Sequence, residues 1–146
     1  AGAAARIAVA FGRPMNAVSF PMIWAIALGG AAGTVSRYAI SQWMLRAHGA
    51  FPLATFAINI AGSFLIALFA RVMSTPDSSP VLCAALTIGF CGGFTTFSTF
   101  SAEFVTLVQE GRTLRAVLYV VASVLTGVLA VLAGLAVGNR FITPRG

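Results

Sequence analysis

The chain has 146 residues, of which 59% are hydrophobic and 8% charged, and its mean hydropathy is +0.96. That composition excludes an ordinary water-soluble domain and describes an integral membrane protein with little chain left for anything else. The formal charge of +6 comes from nine arginines spread over loops, ends and one span, so no basic face for nucleic acid is formed.

Residues 1–20 read as an N-terminal extension, expected to be poorly ordered. Arg6 and Arg13 flank a short apolar run there, Ile7 to Phe11, too short to cross a bilayer and unlike a signal peptide. Met15 is a second position at which the protein itself could start. About 20 apolar residues are needed per helical span, and four stretches qualify, at about 22–45, 51–73, 81–108 and 114–137. The expected fold is therefore all-α, a single four-helix transmembrane domain over 21–141 with a short tail over 142–146. The intervening segments around His48, Pro76 to Pro80 and Gly111 carry turn formers or charge, and their shortness makes successive helices antiparallel neighbours.

The arginines say little about orientation. Arg71, Arg140 and Arg145 fall on one side of a four-span bundle and Arg46, Arg112 and Arg115 on the other, leaving aside Arg6 and Arg13. Orientation normally follows an excess of basic residues on cytoplasmic loops; a balance predicts weakly specified, dual insertion. Four helices enclose little volume, so a transport path would need a second copy, with closed two-fold symmetry the commonest arrangement. Opposite insertion of the two copies would put that axis in the membrane plane.

In the first span Gly29 and Gly33 have the spacing that lets two helices approach closely, and packing outweighs a ligand site there. Arg37 lies well inside the span, where a guanidinium must pair, snorkel or meet water. Two readings stand side by side: it snorkels to the interface, or it holds an anion vestibule. In the second span Asn59 precedes Gly62 and Ser63; taken alone, its amide suits an interhelical hydrogen bond better than an anion.

The third span holds the most unusual run, Gly89-Phe90-Cys91-Gly92-Gly93-Phe94-Thr95-Thr96-Phe97-Ser98-Thr99-Phe100-Ser101-Ala102-Glu103. Two glycines cost a helix about 1 kcal/mol each relative to alanine, and with Thr95 and Thr96 following them the backbone is expected to unwind and free carbonyls that can hold a small cation. On an unbroken helix Phe97 and Phe100 share one face, Thr95 and Thr99 another, Ser98 and Ser101 a third. The phenylalanine ring edges carry partial positive charge that can meet an anion. The plainer alternative, of equal weight on spacing alone, is that the rings pack and the hydroxyls bond back to their own helix.

Cys83 and Cys91 lie about 12 Å apart along one helix, too far for a disulfide, and read as apolar filler. His48 has no companions for a metal site. Three acids and one histidine assemble no nucleophile, base and orienter, so the chain does not read as an enzyme.

Three motifs taken together, Gly30, Gly33, Arg37 and Tyr38 in span one, Asn59, Gly62, Ser63 and Phe64 in span two, and the long run from Gly89 to Glu103 in span three, resemble the Fluc/CrcB family of fluoride channels. The resemblance covers Ala25 to about Asn139. It implies an antiparallel dual-topology homodimer in the bacterial inner membrane, passively exporting fluoride, with a broken third helix and a central structural Na⁺. Carried over position by position, Gly92 and Thr95 would offer backbone carbonyls to Na⁺. Phe97 and Phe100 would present ring edges to fluoride, and Asn59 an amide. Ser98, Thr99, Tyr119 and Ser123 would extend the polar track, with Arg37 toward a vestibule and Glu103 near the far end of the broken helix. One departure stands out: Thr126-Gly127 occupies the place where a second serine is expected four residues beyond Ser123. The alternative function, a small dual-topology proton-coupled multidrug exporter, requires a membrane-embedded acid in place of Arg37, and Glu103 is its one candidate.

Overall fold

The computed structural model describes residues 19–48 and 52–142, and the regular structure within them is all helical. α1 spans Phe20–His48, α2 Leu53–Val72, α3 residues 80–94, α4 Phe97–Gln109 and α5 Thr113–Arg140. α3 and α4 are the two halves of the third span, Pro80–Gln109, interrupted at Thr95 and Thr96. The expected N-terminal extension lies outside the described residues except for Ser19 and Phe20, and Phe20 already belongs to α1; of the tail, Ile142 alone is described.

α2, the α3–α4 pair and α5 are long and apolar enough to cross a membrane. α1 has the length, 29 residues, but Ser36, Arg37, Tyr38, Ser41 and Gln42 dilute its apolar character. Its place in the bundle depends on what covers Arg37.

Local chemistry sets the helix starts. Ser79 caps α3 by accepting from the Leu82 N–H at 3.3 Å, and Pro80 follows in the first turn, where a missing N–H costs nothing. Between α4 and α5 the chain reverses through Gly111 at φ +74°, a conformation that a Cβ would strain.

Two seams hold the bundle. α1 packs on α3 backbone to backbone: a Cβ added at Gly33 would overlap the Phe90 carbonyl and lie 2.9 Å from the Phe94 nitrogen, and one at Gly93 would overlap the Gly30 carbonyl. α3 answers this approach by widening to i→i+5 hydrogen bonding over Ala85–Cys91, a π-helical stretch of the kind found at functional sites. α2 packs along α5, where Gly134 and Gly138 admit Phe64, Ala67 and Arg71. Leu107, Ala116 and Tyr119 form a buried cluster between α4 and α5, with Phe56, Phe100 and Phe104 against it. The outward faces carry exposed Trp24, Leu28, Val124, Leu125 and Leu129, as expected of surfaces that meet lipid or a second copy.

Candidate functional site

The site is built around the interruption of the third span. Of the stretch expected to unwind, Gly92 and Gly93 stay helical; the break falls on Thr95 (φ −82°, ψ 159°) and Thr96 (φ −149°, ψ 114°). The physical reason lies in β-branching and in the partners available. Two adjacent threonines favour extended backbone, and a side chain from another helix accepts them in that form. Asn59 on α2 faces Thr96 as a second peptide group would: the Thr96 N–H donates to Asn59 Oδ1 at 2.9 Å, and Asn59 Nδ2 donates to the Thr96 carbonyl at 3.2 Å. Gly93, meanwhile, is needed for the close approach to α1.

Breaking a helix orphans carbonyls on one side and N–H groups on the other. The Gly93 carbonyl, which an unbroken helix would bond to residue 97, instead accepts from Arg37 Nε at 3.1 Å and, at 3.4 Å, from Thr34 Oγ1. A cation at the C-terminal end of α3 also offsets the negative pole of that half-helix. Arg37 is therefore neither snorkelled to the interface nor turned outward: it is engaged at the break. The Gly92 carbonyl loses its helical donor, Thr96 N–H, to Asn59. On the other side, Thr96 caps α4 by accepting from the Thr99 N–H at 3.2 Å, and its hydroxyl lies within 3.0 Å of Thr99 Oγ1 and 3.3 Å of Ser98 Oγ. Thr95 stands before the break, so it does not share a helical face with Thr99 as the unbroken spacing predicts; its hydroxyl bonds back to the Cys91 carbonyl.

A cavity of about 330 Å³ opens beside the break, lined by Asn59, Ser63, Gly92, Thr95, Thr96 and Phe97 among others. Phe97 projects from it, 80% exposed. Phe100, one turn on, has its ring centroid 6.0 Å from that of Phe97 and 5.0 Å from that of Tyr119, so it belongs to the buried cluster as well as to the motif. Glu103 accepts from Thr55 Oγ1 and from the Tyr119 hydroxyl, both at 2.7 Å, through different carboxylate oxygens. Short bonds of this kind to a charged oxygen are the strong ones. Ser123 Oγ is buried with no hydrogen-bond partner among the described residues.

Thr34 and Thr55 were not singled out from the sequence, and Thr96 only as part of the stretch expected to unwind. Thr55 had a readable signal, because Thr55, Asn59 and Ser63 repeat every four residues along α2. Thr34 had none, since its role depends on a contact across helices.

Fold and site define a multi-pass membrane protein of one class: a small helical bundle whose third span is interrupted beside a cavity lined by amide, hydroxyl and aromatic groups. The chain matches the family described as CrcB-like protein, Camphor Resistance (CrcB), over residues 24–135, and it belongs to that family. It is 44% identical over 122 residues to the fluoride-specific ion channel FluC of Acidobacterium capsulatum, covering 82% of this chain and 97% of the relative. The corresponding protein of Rhizobium johnstonii is 46% identical over 114 residues, 77% of this chain and 91% of the relative. Fluoride-specific ion channel FluC 2 of Bacillus subtilis is 44% identical over 116 residues, 80% and 86% respectively.

Proposed function

We propose that this chain is a subunit of a fluoride channel in the bacterial inner membrane, one that lets the anion leave the cell down its electrochemical gradient. The observation that carries the reading is the uncharged lining at the break. Fluoride is small and tightly hydrated, so a selective path must replace its water with close donors and still release it. Asn59, Ser63 and the ring of Phe97 line the cavity without a fixed positive charge, while the nearby guanidinium of Arg37 is engaged with the Gly93 carbonyl. The N-terminal end of α4, with its positive partial charge, begins beside the same cavity. An interior-negative potential contributes about 2.3 kcal/mol per charge per 100 mV to outward movement, so no coupling site is required.

In this reading Asn59 and the edges of Phe97 and Phe100 meet the ion near the break, Ser98, Thr99, Tyr119 and Ser123 carry it onward, Glu103 stands toward the far end, and Arg37, held at the break by the Gly93 carbonyl, borders a vestibule there. Phe97, exposed on a single chain, gains its facing surface from a second copy inserted in the opposite sense, giving an antiparallel homodimer of dual topology. Balanced arginines and the exposed apolar faces support that assembly. The donor set at the break also fits a structural Na⁺: the Gly92 carbonyl has lost its helical donor, Gly92 is open, with nothing within 4 Å of an added Cβ, and neutral oxygens at an unwound helix suit an alkali cation. The carbonyls of Gly92 and Thr95 would hold it, and its charge would favour an anion nearby. Among the described residues no cluster of His, Cys, Asp or Glu could hold a metal.

Purified protein in liposomes should release fluoride far faster than chloride, read with an ion-selective electrode. Vesicles that release neither anion, or that take up a cationic dye in exchange for protons, would sink the proposal in favour of a different transporter.

A further inference from the structure

Five hydroxyls of the membrane helices are spent on their own backbone. Thr87, Thr95, Ser101, Thr106 and Thr126 each donate to the carbonyl four residues earlier. Ser63 makes no such bond among the described residues, and it lines the cavity. Its neighbourhood is a register. Thr55, Asn59 and Ser63 stand four apart on α2, and Tyr119, Ser123 and Gly127 four apart on α5. The first rung is tied by Glu103, which accepts from both Thr55 and Tyr119. The third is fixed by distance, since a Cβ built on Gly127 lies 3.7 Å from Ser63 Oγ. Asn59 and Ser123 then fall between, and the Ser123 hydroxyl is buried without a partner.

Gly127 differs from the other glycines of this seam. At Gly134 a Cβ would overlap the Phe64 carbonyl and lie 3.0 Å from Ala67 Cβ, so packing demands glycine there. At Gly127 the single neighbour is at ordinary van der Waals distance, so packing does not demand it. The missing side chain leaves space directly against an uncommitted hydroxyl. A hydroxyl at membrane depth with no partner is costly unless water or an ion meets it.

We propose that Ser63 is a fluoride-solvating residue of the pathway, its hydroxyl donating into the space left by Gly127 and supplying from α2 the step that α5 omits beyond Ser123. This rests on the fluoride-channel reading above. The file of free donors changes helix at this level: Ser123 projects from α5, Ser63 from α2.

The test is fluoride efflux from liposomes loaded with the full-length parental protein, Ser63→Ala, Gly127→Ser, or both substitutions together, each first checked for its parental elution volume. Removing one hydrogen bond to a charged group should slow Ser63→Ala about ten- to a hundredfold. Gly127→Ser restores a hydroxyl to the same space from the opposite helix, so the double variant should recover most of the parental rate. Ser63→Cys, nearly the same shape but a weak donor, should be slowed like alanine and carries the test if the alanine variant fails to fold. Ser63→Ala at the parental rate overturns the proposal and leaves the channel reading standing. A slow Ser63→Ala with no recovery in the double variant also overturns it, because a packing defect behaves that way. Parental vesicles that release no fluoride overturn both.

Discussion

Gly30 and Gly33 sit one turn apart on α1, yet the same substitution should act on them in opposite directions. A Cβ on Gly30 meets only the Gly89 carbonyl, at 3.7 Å, an ordinary contact. Gly30→Ala should therefore collect the intrinsic helix preference of alanine, about 0.8–1.0 kcal/mol. A Cβ on Gly33 would overlap the Phe90 carbonyl and lie 2.9 Å from the Phe94 nitrogen, both rigid backbone atoms. Relief requires α1 to move away from α3, at about 1–3 kcal/mol for overpacking. The move also draws Arg37 off the Gly93 carbonyl, a bond to a charged donor worth about 1.5–3 kcal/mol. Set against the same helix preference of about 1 kcal/mol, the net destabilisation of Gly33→Ala is about 1.5–5 kcal/mol. Both tryptophans, Trp24 and Trp43, lie on α1, so their fluorescence during unfolding in a mixed-detergent titration follows this helix directly. Equal midpoints for the two variants would refute the backbone-contact account of the seam.

Three further outcomes follow from the site. Asn59→Ala leaves the Thr96 N–H and carbonyl without their partner, at about 1–3 kcal/mol each, and should lower both stability and fluoride flux; Asn59→Asp keeps the acceptor for Thr96 N–H and should lose flux with a smaller stability change, measured by the same fluorescence titration beside liposome efflux. Phe97→Ile should cut fluoride efflux while folding persists, because the ring is exposed, whereas Phe100→Ile should also loosen its contact with Tyr119; parental efflux in both variants would remove the ring-edge mechanism. A tag on one terminus should be labelled from both sides of the membrane, and two added arginines between α2 and α3 should bias insertion and starve the channel of its oppositely inserted partner; labelling from one side in the parental chain would exclude dual topology.

The four long helical stretches were legible because a run of apolar residues leaves a plain composition signal, and the sequence boundaries differ from the helix ends by no more than a few residues; three of them, α2, the α3–α4 pair and α5, are apolar enough to cross a membrane. The interruption of the third span was legible too, to within the stretch from Gly92 to Thr96 but not to the residue. Within that stretch Gly92 and Gly93 stay helical because Gly93 is committed to α1 and Thr96 is paired by a side chain 37 positions away. Nothing local in Thr95-Thr96 announces Asn59. Arg37 had two readings from depth alone, both of them about solvent or ions. Its partner proved to be a carbonyl exposed by the break itself, a group that exists as an acceptor only once the fold has formed. The stripe of Thr55, Asn59 and Ser63 could be read in the sequence; its register with Tyr119, Ser123 and Gly127 required the packed helices.

The Arg37–Gly93 bond joins residues 56 positions apart, which gives the chain an order of assembly. At about 5–20 residues per second of synthesis, α1 emerges several seconds before the carbonyl that accepts from Arg37 exists. For that interval the first span carries an uncovered guanidinium, and it is the span least able to enter lipid unaided. It should wait at the insertion machinery until α3 arrives, so the two enter the bilayer as a pair. Nascent chains stalled before and after residue 93 should show this directly, α1 crosslinking to the machinery in the shorter chains and released from it in the longer ones.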